Sequence, residues 1–189
     1  SQGRAQAWLE KHELQALPKL WEKLHISAGW ETALEAVLRE RIGALEVSNL
    51  NWAKAFFSDS PPAKLSLYSP VVTAAPALPA TGFKPLIDLL QINEPGIRSV
   101  LQDWLQLVYV AEHAEQAFAE RDKLPAGACF VTKAGHVISA NSVRFYAADS
   151  EQEGVLARAQ EIENIGKQIR AQHLLVDEAK TRATRADAH

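Results

Sequence analysis

The chain has 189 residues, of which 47% are hydrophobic, and it carries a formal net charge of −3 at pH 7. This length suits one domain, with or without an extension, and the hydrophobic content is enough for a core. The negative charge excludes a globally basic nucleic-acid-binding protein, and the single cysteine, Cys129, excludes a disulfide framework and a multi-cysteine zinc site.

The N-terminus and the hydropathy pattern indicate the origin of the chain and the location of the protein. No methionine occurs and the first residue is Ser1, so we expect an internal fragment of a longer protein. No apolar run is long enough for a transmembrane helix, and no signal-peptide pattern is present. We therefore expect a cytoplasmic protein with no membrane contact.

The first 68 residues are predicted to alternate between helices and short strands. A helix within 8–24 is followed, from Pro18, by a second short helix or turn. The next helix has one buried face, because apolar residues recur there at helical spacing. Those residues are Ala33, Leu34, Val37, Leu38 and Ile42. A buried strand at 44–47, a short helix at 49–57 and a half-buried strand at 64–68 complete this part.

The pattern of the first 68 residues is repeated after residue 81. The segment between the two copies, 69–81, is uncharged and contains three prolines. It is predicted to be a flexible or extended surface loop. A strand at 107–110 and a small helix ending near Ala117 and Phe118 complete the second copy. The pattern predicts an internal duplication, with two similar α/β subdomains bridged by the loop. Four residue pairs are each 67 positions apart: Pro18 and Pro85, Gly29 and Gly96, Leu34 and Leu101, Leu38 and Leu105.

The remainder of the chain is predicted to form short strands and then one long helix. Strands at 128–133 and 136–140 would form a hairpin around Gly135, and 143–147 would add one more strand. From residue 151 no proline occurs, and a heptad predicts one helix of a coiled coil. The alternative is an amphipathic helix folded onto the domain. One seam position holds Val155, Ile162, Ile169, Val176 and Ala183, and the other holds Arg158, Ile165, Gln172, Ala179 and Ala186.

No motif in the chain supports catalysis, a cofactor or a metal. Gly29 precedes a helix, but Glu31 in its first turn would repel a bound phosphate, and no phosphate-binding glycine loop occurs. The six histidines lack metal-ligand spacing. Cys129, within an apolar strand, is predicted to be a small buried hydrophobe. The five tryptophans are predicted to be core residues: Trp8, Trp21, Trp30, Trp52 and Trp104.

Basic side chains are candidates for weak, sequence-independent DNA contacts. They would neutralise phosphates, with salt-dependent binding, if folding brings some of them together. The alternative is scattered solubilising charge. The candidates are Lys54, Lys64, Lys84, Lys133 and Arg144 near the strands and loops, and Arg158, Lys167 and Arg170 on the long helix.

Several stretches resemble, in the right order, the hinge domain of SMC (structural maintenance of chromosomes) proteins, most closely the bacterial condensin-type branch. The first is GWETALEAVLRERIGALEV, which is similar to the first half of that domain. PPAKLSL falls where the family has a Gly-Arg-Ala-Thr-Phe strand. CFVTKAGHVIS falls at its hairpin, with Thr132 and Gly135 in register, and the tail from Gly154 falls at the start of the returning coiled-coil arm.

The resemblance implies a non-catalytic homodimerisation module at the apex of a long antiparallel coiled coil. The second arm would come from the same parent chain, whose ATPase heads would lie outside this fragment. In the family, the first subdomain of one chain joins edge strands with the second subdomain of the other. The matching residues here are Ala63, Lys64, Leu65, Ser66 and Leu67 on one side, and Ser139, Ala140, Asn141, Ser142, Val143, Arg144 and Phe145 on the other.

The chain departs from the family pattern at both of these segments. After the hairpin it has SANSVRFYAAD, where the family usually has a glycine-rich stretch. The first segment has Pro62-Ala63-Lys64, where Gly-Gly-Arg is usual. Because glycine allows close backbone approach, we expect weaker dimerisation or more reliance on side chains such as Arg144 and Phe145.

The resulting expectation is an α/β (α+β) fold of two pseudo-repeated subdomains with mixed sheets and flanking helices, plus a C-terminal coiled-coil helix. Its function would be chromosome condensation and segregation in the nucleoid, with no cofactor. Two alternatives stay open: a small α/β ligand-binding or enzymatic domain tethered by a coiled coil, and a structural adaptor without DNA contact. The expected boundaries are 1–12 for the entry arm, 13–68 for subdomain I, 69–82 for the linker, 83–150 for subdomain II and 151–189 for the exit arm.

Overall fold

The computed structural model describes residues 2–147 and 154–187 and divides the chain into two compact units. The first unit is Ser1–Leu156 and the second is Ala157–His189. The first unit contains all the strands described and most of the helices, and it has the mixed α/β architecture that the sequence predicts. The second consists of one long helix.

The first copy of the repeat begins after helix α1, Gln2–Lys11. Its order is a 3-10 helix, a strand, an α-helix, a strand, a second 3-10 helix and a strand. Between α2 and β2 lies a further 3-10 turn, Arg39–Gly43. The elements are Leu20–Lys23, β1 (His25–Ile26), α2 (Glu31–Leu38), β2 (Leu45–Glu46), Leu50–Phe57 and β3 (Leu67–Tyr68).

The second copy has a similar order of elements, followed by two additional strands and the long helix. It differs in having an α-helix and a short 3-10 turn where the first copy has the 3-10 helix Leu50–Phe57, and in having no 3-10 turn between its longer α-helix and the next strand. Its elements are the 3-10 helix Leu86–Leu89, β4 (Leu90–Gln91), α3 (Pro95–Trp104), β5 (Val108–Ala111), α4 (Ala114–Ala119), a 3-10 turn Arg121–Lys123 and β6 (Cys129–Thr132). The additions are β7 (Val137–Ser139), β8 (Val143–Arg144) and α5 (Val155–Asp187). The recurrence agrees with the internal duplication predicted from sequence, and both copies belong to the first compact unit.

The strands form three small sheets that follow the repeat. In each copy the strand before the small helix pairs parallel with the strand after it: β2 with β3, and β5 with β6. In the second copy β7 and β8 extend the sheet by antiparallel pairing, in the order β5-β6-β7-β8. The two copies are joined by β1 and β4, which pair antiparallel with His25 opposite Gln91.

One hydrophobic core is built from both copies. Leu34 and Leu38 of the first copy, with Leu101 and Leu105 of the second, are buried within it, as the 67-residue spacing predicts. The β5 run VYVA is buried on both faces: Val108 and Val110 face this core, while Tyr109 and Ala111 face a second cluster with Ala117 of α4. A continuous apolar run is typical of such doubly covered strands.

The sequence match between Gly29 and Gly96 does not extend to their backbone conformations. Gly29 has a φ of +92° and lies in the turn before α2, where its N–H donates to Glu31 Oε2 at 2.9 Å. Gly96 lies inside the first turn of α3 and packs against the backbone of Pro70. One glycine is needed for a positive φ and the other for close approach, so the two are not equivalent positions.

Two further expectations need correction, and one strand pair was not predicted. The predicted strand at 64–68 is reduced to Leu67–Tyr68, because β2 offers only two residues for pairing. The strands β1 and β4 were not predicted, since two-residue strands carry no periodicity. Trp52 is 55% exposed rather than core, whereas Trp8 and Trp30 are buried as predicted.

The long helix α5 carries exposed aliphatic side chains along the heptad predicted from sequence. Ile162, Ile169 and Val176 of the first seam position and Ile165 of the second are all exposed. Within residues 2–147 and 154–187, neither α5 nor any shorter helix is apolar enough over a sufficient length to cross a bilayer.

The contact between Gly96 and the linker predicts the effect of adding one methyl group. A Cβ at Gly96 would overlap the carbonyl group of Pro70. We expect Gly96→Ala to lower the free energy of unfolding by about 2 kcal/mol or more, because backbone must move. Gly43→Ala is the control, since a Cβ at Gly43 meets nothing within 4 Å. Equal urea midpoints for the two variants would contradict the prediction.

Candidate functional site

Both predicted interface segments end in strands at the edges of their sheets. In the first segment, only Leu67 lies in a strand, and among the described residues β3 pairs only with β2. In the second, Ser139 ends β7, while β8 (Val143–Arg144) pairs only with β7 in the part of the chain that the structure describes. Each edge leaves backbone N–H and C=O groups available to another strand.

The remaining residues of the two segments lie in turns or extended backbone. A tight turn joins β7 to β8: the Ser139 N–H donates to Ser142 O at 2.9 Å, and the two hydroxyls lie 2.6 Å apart. Ala140 and Asn141 occupy the exposed tip of this turn. Ala63 and Lys64 are exposed, and Leu65 is partly buried against Trp8 and Leu14.

The two segments meet in one groove of about 730 Å³. Its first wall comes from Lys64, Leu65 and Ser66, and its second from Arg144, Phe145, Tyr146 and Ala147. The floor and rim come from residues that the sequence did not single out as a site. They are Lys19, Trp21, Glu35, Ala36, Arg39, Glu40, Ile42, Gly43 and Val155.

The backbone around β8 is held by side chains of the same unit. Arg144 Nη2 donates to Ala36 O at 2.9 Å, across to α2. The Tyr146 N–H donates to His136 Nδ1 at 3.1 Å, and the Phe145 ring lies edge-on to His136, with centroids 5.2 Å apart. These contacts fix the path of the chain just after β8, while leaving 77% of Phe145 exposed.

Gly135 allows the hairpin tip to pack closely against its surroundings. Its φ is +88°, and a Cβ there would lie 2.9 Å from the Tyr146 ring and 3.1 Å from Ala36 Cβ. A larger residue would therefore strain the backbone and displace both neighbours. This explains the glycine of the predicted hairpin.

The candidate DNA-contact residues are only partly brought together. Lys64 and Arg144 line the groove; Lys54, Lys84 and Lys133 do not. Lys133 instead lies over the Trp30 ring, with its Nζ 5.6 Å from the ring centroid. Arg158, Lys167 and Arg170 belong to the second unit. The groove itself adds Lys19 and Arg39, together with the carboxylates of Glu35 and Glu40.

A polar cluster supports the sheet that carries the first edge. Glu46 of β2 accepts from Lys23 Nζ at 2.8 Å and from the Tyr68 hydroxyl of β3 at 3.2 Å. The hydrogen bond to Glu46 raises the pKa of Lys23 above its ordinary value, against the effect of burial. Burial, with the nearby charge of Glu46, raises the pKa of Tyr68. At neutral pH Lys23 is therefore an ammonium and Tyr68 a neutral phenol.

Cys129 lies partly buried in β6, which agrees with the prediction of a small hydrophobe. Burial raises the pKa of its thiol, and the charge of Arg144 only partly opposes that effect. A raised pKa keeps the thiol protonated at neutral pH and so lowers its nucleophilicity.

The comparisons with known proteins agree with one another. A profile for the SMC proteins Flexible Hinge Domain matches residues 14–120. Over 188 residues the chain is 59% identical to Chromosome partition protein Smc of Burkholderia pseudomallei (strain 1710b), covering 100% of this chain and 16% of that protein. Identity to the protein of the same name from Bordetella petrii is 54%, covering 99% of this chain and 16% of that protein. The chain thus spans about one sixth of the length of these relatives.

Solved structures show the same fold at low sequence identity. The chain is similar to the crystal structure of an asymmetric dimer of the Geobacillus stearothermophilus SMC hinge domain. There the TM-score is 0.68 at 20% identity, covering 98% of this chain and 85% of that one. It is also similar to the Pyrococcus furiosus Smc hinge domain with an extended coiled coil, with a TM-score of 0.58 at 14% identity, covering 90% and 63% of the two chains.

The polar cluster at β2 and β3 predicts a pH-dependent effect of Glu46→Gln. We expect a loss of about 1–2 kcal/mol of stability at pH 7, because Lys23 and Tyr68 lose a charged acceptor. The stability from Lys23 is present below its unfolded pKa, which lies near the ordinary value of 10.5, and is lost as pH rises through the higher folded pKa. The wild type and the variant should therefore converge in urea denaturation above about pH 10.5; a gap that stays constant to higher pH would contradict the assignment.

Proposed function

This chain belongs to the family of SMC flexible hinge domains, and we propose that it is the homodimerisation hinge of an SMC chromosome condensation and segregation protein. It would join two coiled-coil arms by pairing of edge strands and contact DNA weakly. The fragment itself would be non-catalytic, with the ATPase of the parent protein outside it and the whole protein in the cytoplasm, associated with the nucleoid. The observation that carries the proposal is the free edge of β8 beside the exposed Phe145 ring.

Edge-strand pairing would use β3 of one copy and β8 of another. Backbone groups along an unpaired edge find partners on an incoming strand, and neighbouring side-chain pockets provide specificity. The segments 63–67 and 139–145 carry these edges and also line one groove. That a relative with the same fold was crystallised as an asymmetric dimer supports this arrangement.

Side chains would carry more of this interface than in relatives with glycine-rich segments. Val143 and Phe145 are exposed apolar residues on or next to the β8 edge. Aromatic residues in such positions often dominate the binding free energy, because they bury large areas at low entropic cost. Phe145 is thus the side chain most suited to anchor a partner strand.

The coiled-coil arms would be completed by a second helix of the same parent chain. Four exposed aliphatic residues of α5 lie on the heptad positions of a two-stranded seam, namely Ile162, Ile165, Ile169 and Val176, whereas the exposed Leu174 and Leu175 do not. An antiparallel helix packed on that seam would bury the four seam residues. On this basis we propose 1–12 and 151–189 as the arm segments, 13–68 and 83–150 as the two subdomains, and 69–82 as the linker between them.

DNA contact would be weak and electrostatic, and centred on Lys64 and Arg144. Both are exposed basic residues of the groove, next to Lys19 and Arg39. Each phosphate neutralised releases counterions, so affinity would fall steeply with salt and show no sequence preference. Glu35 and Glu40 in the same groove reduce the net positive charge there, in agreement with weak binding.

The dimer is tested by Phe145→Ala. Sedimentation of the wild-type chain at tens of micromolar should give about twice 20.8 kDa. The variant should raise the dimer dissociation constant by about tenfold or more, because an exposed aromatic anchor is lost. Phe57→Ala is the control, since Phe57 is 85% exposed but lies outside both edge segments. A wild-type chain that stays strictly monomeric would count against the hinge dimer.

The DNA surface is tested separately by charge reversal at Lys64. We expect Lys64→Glu to weaken binding to a fluorescent duplex and to reduce the slope of log K against log salt by about one or two units. Lys123→Glu changes the net charge equally at a residue outside the groove and should have little effect. Equal losses in the two variants would show that only overall charge matters.

A further inference from the structure

The start of α5 is fixed by a buried carboxylate of α2. Glu35 is 6% exposed, and Leu156, in the first turn of α5, is fully buried in the main core. Glu35 Oε2 accepts the Gly154 N–H at 2.7 Å, and Glu35 Oε1 accepts the Leu156 N–H at 2.6 Å. All of these residues belong to the first compact unit.

These two hydrogen bonds form an N-terminal cap supplied from a distant part of the chain. The first N–H groups of a helix have no partner within it, so a side-chain acceptor stabilises the end. A carboxylate does this more strongly than a hydroxyl, because its negative charge is also attracted to the positive end of the helix dipole. Here the acceptor is more than 100 residues earlier in sequence, so the cap forms only when α2 and α5 are both in place.

The next residue of α2 contacts the edge strand. Ala36 O accepts from Arg144 Nη2 of β8 at 2.9 Å, and Ala36 Cβ lies under the hairpin tip at Gly135. Glu35, Ala36, Arg144 and Val155 all line the groove. One turn of α2 therefore touches both the edge strand and the first turn of α5.

We propose that Glu35 and Ala36 form a connector that couples the edge strand β8 to the first turn of α5, with Glu35 as the positioning residue for that turn. A change at the edge reaches the first turn of α5 through the Arg144 contact, the α2 backbone and the Glu35 cap. The inference goes beyond the proposed function and stands without dimerisation, because each contact lies within one chain.

Amide hydrogen exchange at Leu156 and Gly154, resolved by NMR on the full chain, tests the cap. In Glu35→Gln the side chain keeps its size but loses its charge and one acceptor oxygen. Exchange at these two amides should become about tenfold faster, a loss typical of a charged cap. Glu40→Gln changes an exposed carboxylate of the same groove and should leave exchange unchanged. Wild-type exchange rates in Glu35→Gln would overturn the cap.

The coupling is tested by Arg144→Ala and by the double variant. Arg144→Ala should speed exchange at Leu156 by at least about threefold, although the hydrogen-bond partner of the Leu156 and Gly154 amides is Glu35 and not Arg144. The double variant should match Glu35→Gln alone, since without the cap the Arg144 contact no longer reaches α5. No effect of Arg144→Ala, or strictly additive effects, would overturn the connector.

Two further measurements keep the test decisive. Glu35→Asp takes the place of Glu35→Gln if that variant does not fold. Its side chain keeps the charge but is shorter by one methylene, so exchange at Leu156 should still become faster. Unchanged exchange in that variant overturns the proposal. In sedimentation, Glu35→Gln should have the same oligomeric state as the wild type. A result against the connector and a result against the dimer can therefore be told apart.

Discussion

The hydrophobic core shared by the two copies is the constraint on which the rest of the first unit depends. A segment of about 65 residues buries little apolar surface by itself and is marginal as an independent domain. Here α2 and α3 bury their leucines against each other's copies, and β1 pairs with β4 across the junction. Neither half completes its core alone, so the two halves form one cooperative body.

The shared core also determines which strands remain free. Strands β5, β6 and β7 are covered on both faces by the two clusters, and β2 lies between the main core and the cluster around Trp8 and Leu14. The faces are thus used internally, and in these two sheets the outer edges of β3 and β8 have no strand partner among the described residues. Unpaired edges are a hazard unless a partner or a charge covers them, which is why an edge-pairing function suits this fold.

The elements with a strong local signal were predictable, and those with a purely tertiary cause were not. Leu34, Leu38, Leu101 and Leu105 are core residues because helical spacing puts them on one face. The hairpin at Gly135 follows from turn chemistry. By contrast, β1 and β4 exist only because the two copies meet. Gly29 and Gly96 are not equivalent, because Gly29 adopts a positive φ and Gly96 makes a close contact with backbone. The residue type alone does not distinguish these two uses of glycine.

The sequence by itself determined the α/β class, the duplication, the heptad of α5 and the two segments that carry the sheet edges. Each of these follows from periodicity, spacing or family resemblance. Only the tertiary structure decided that these segments share a groove, that Lys64 and Arg144 meet there while Lys54 and Lys84 do not, and that Glu35 caps α5. The physical reason is separation along the chain. Contacts between residues about 80 to 120 positions apart depend on how the shared core is packed, and no local pattern records that packing.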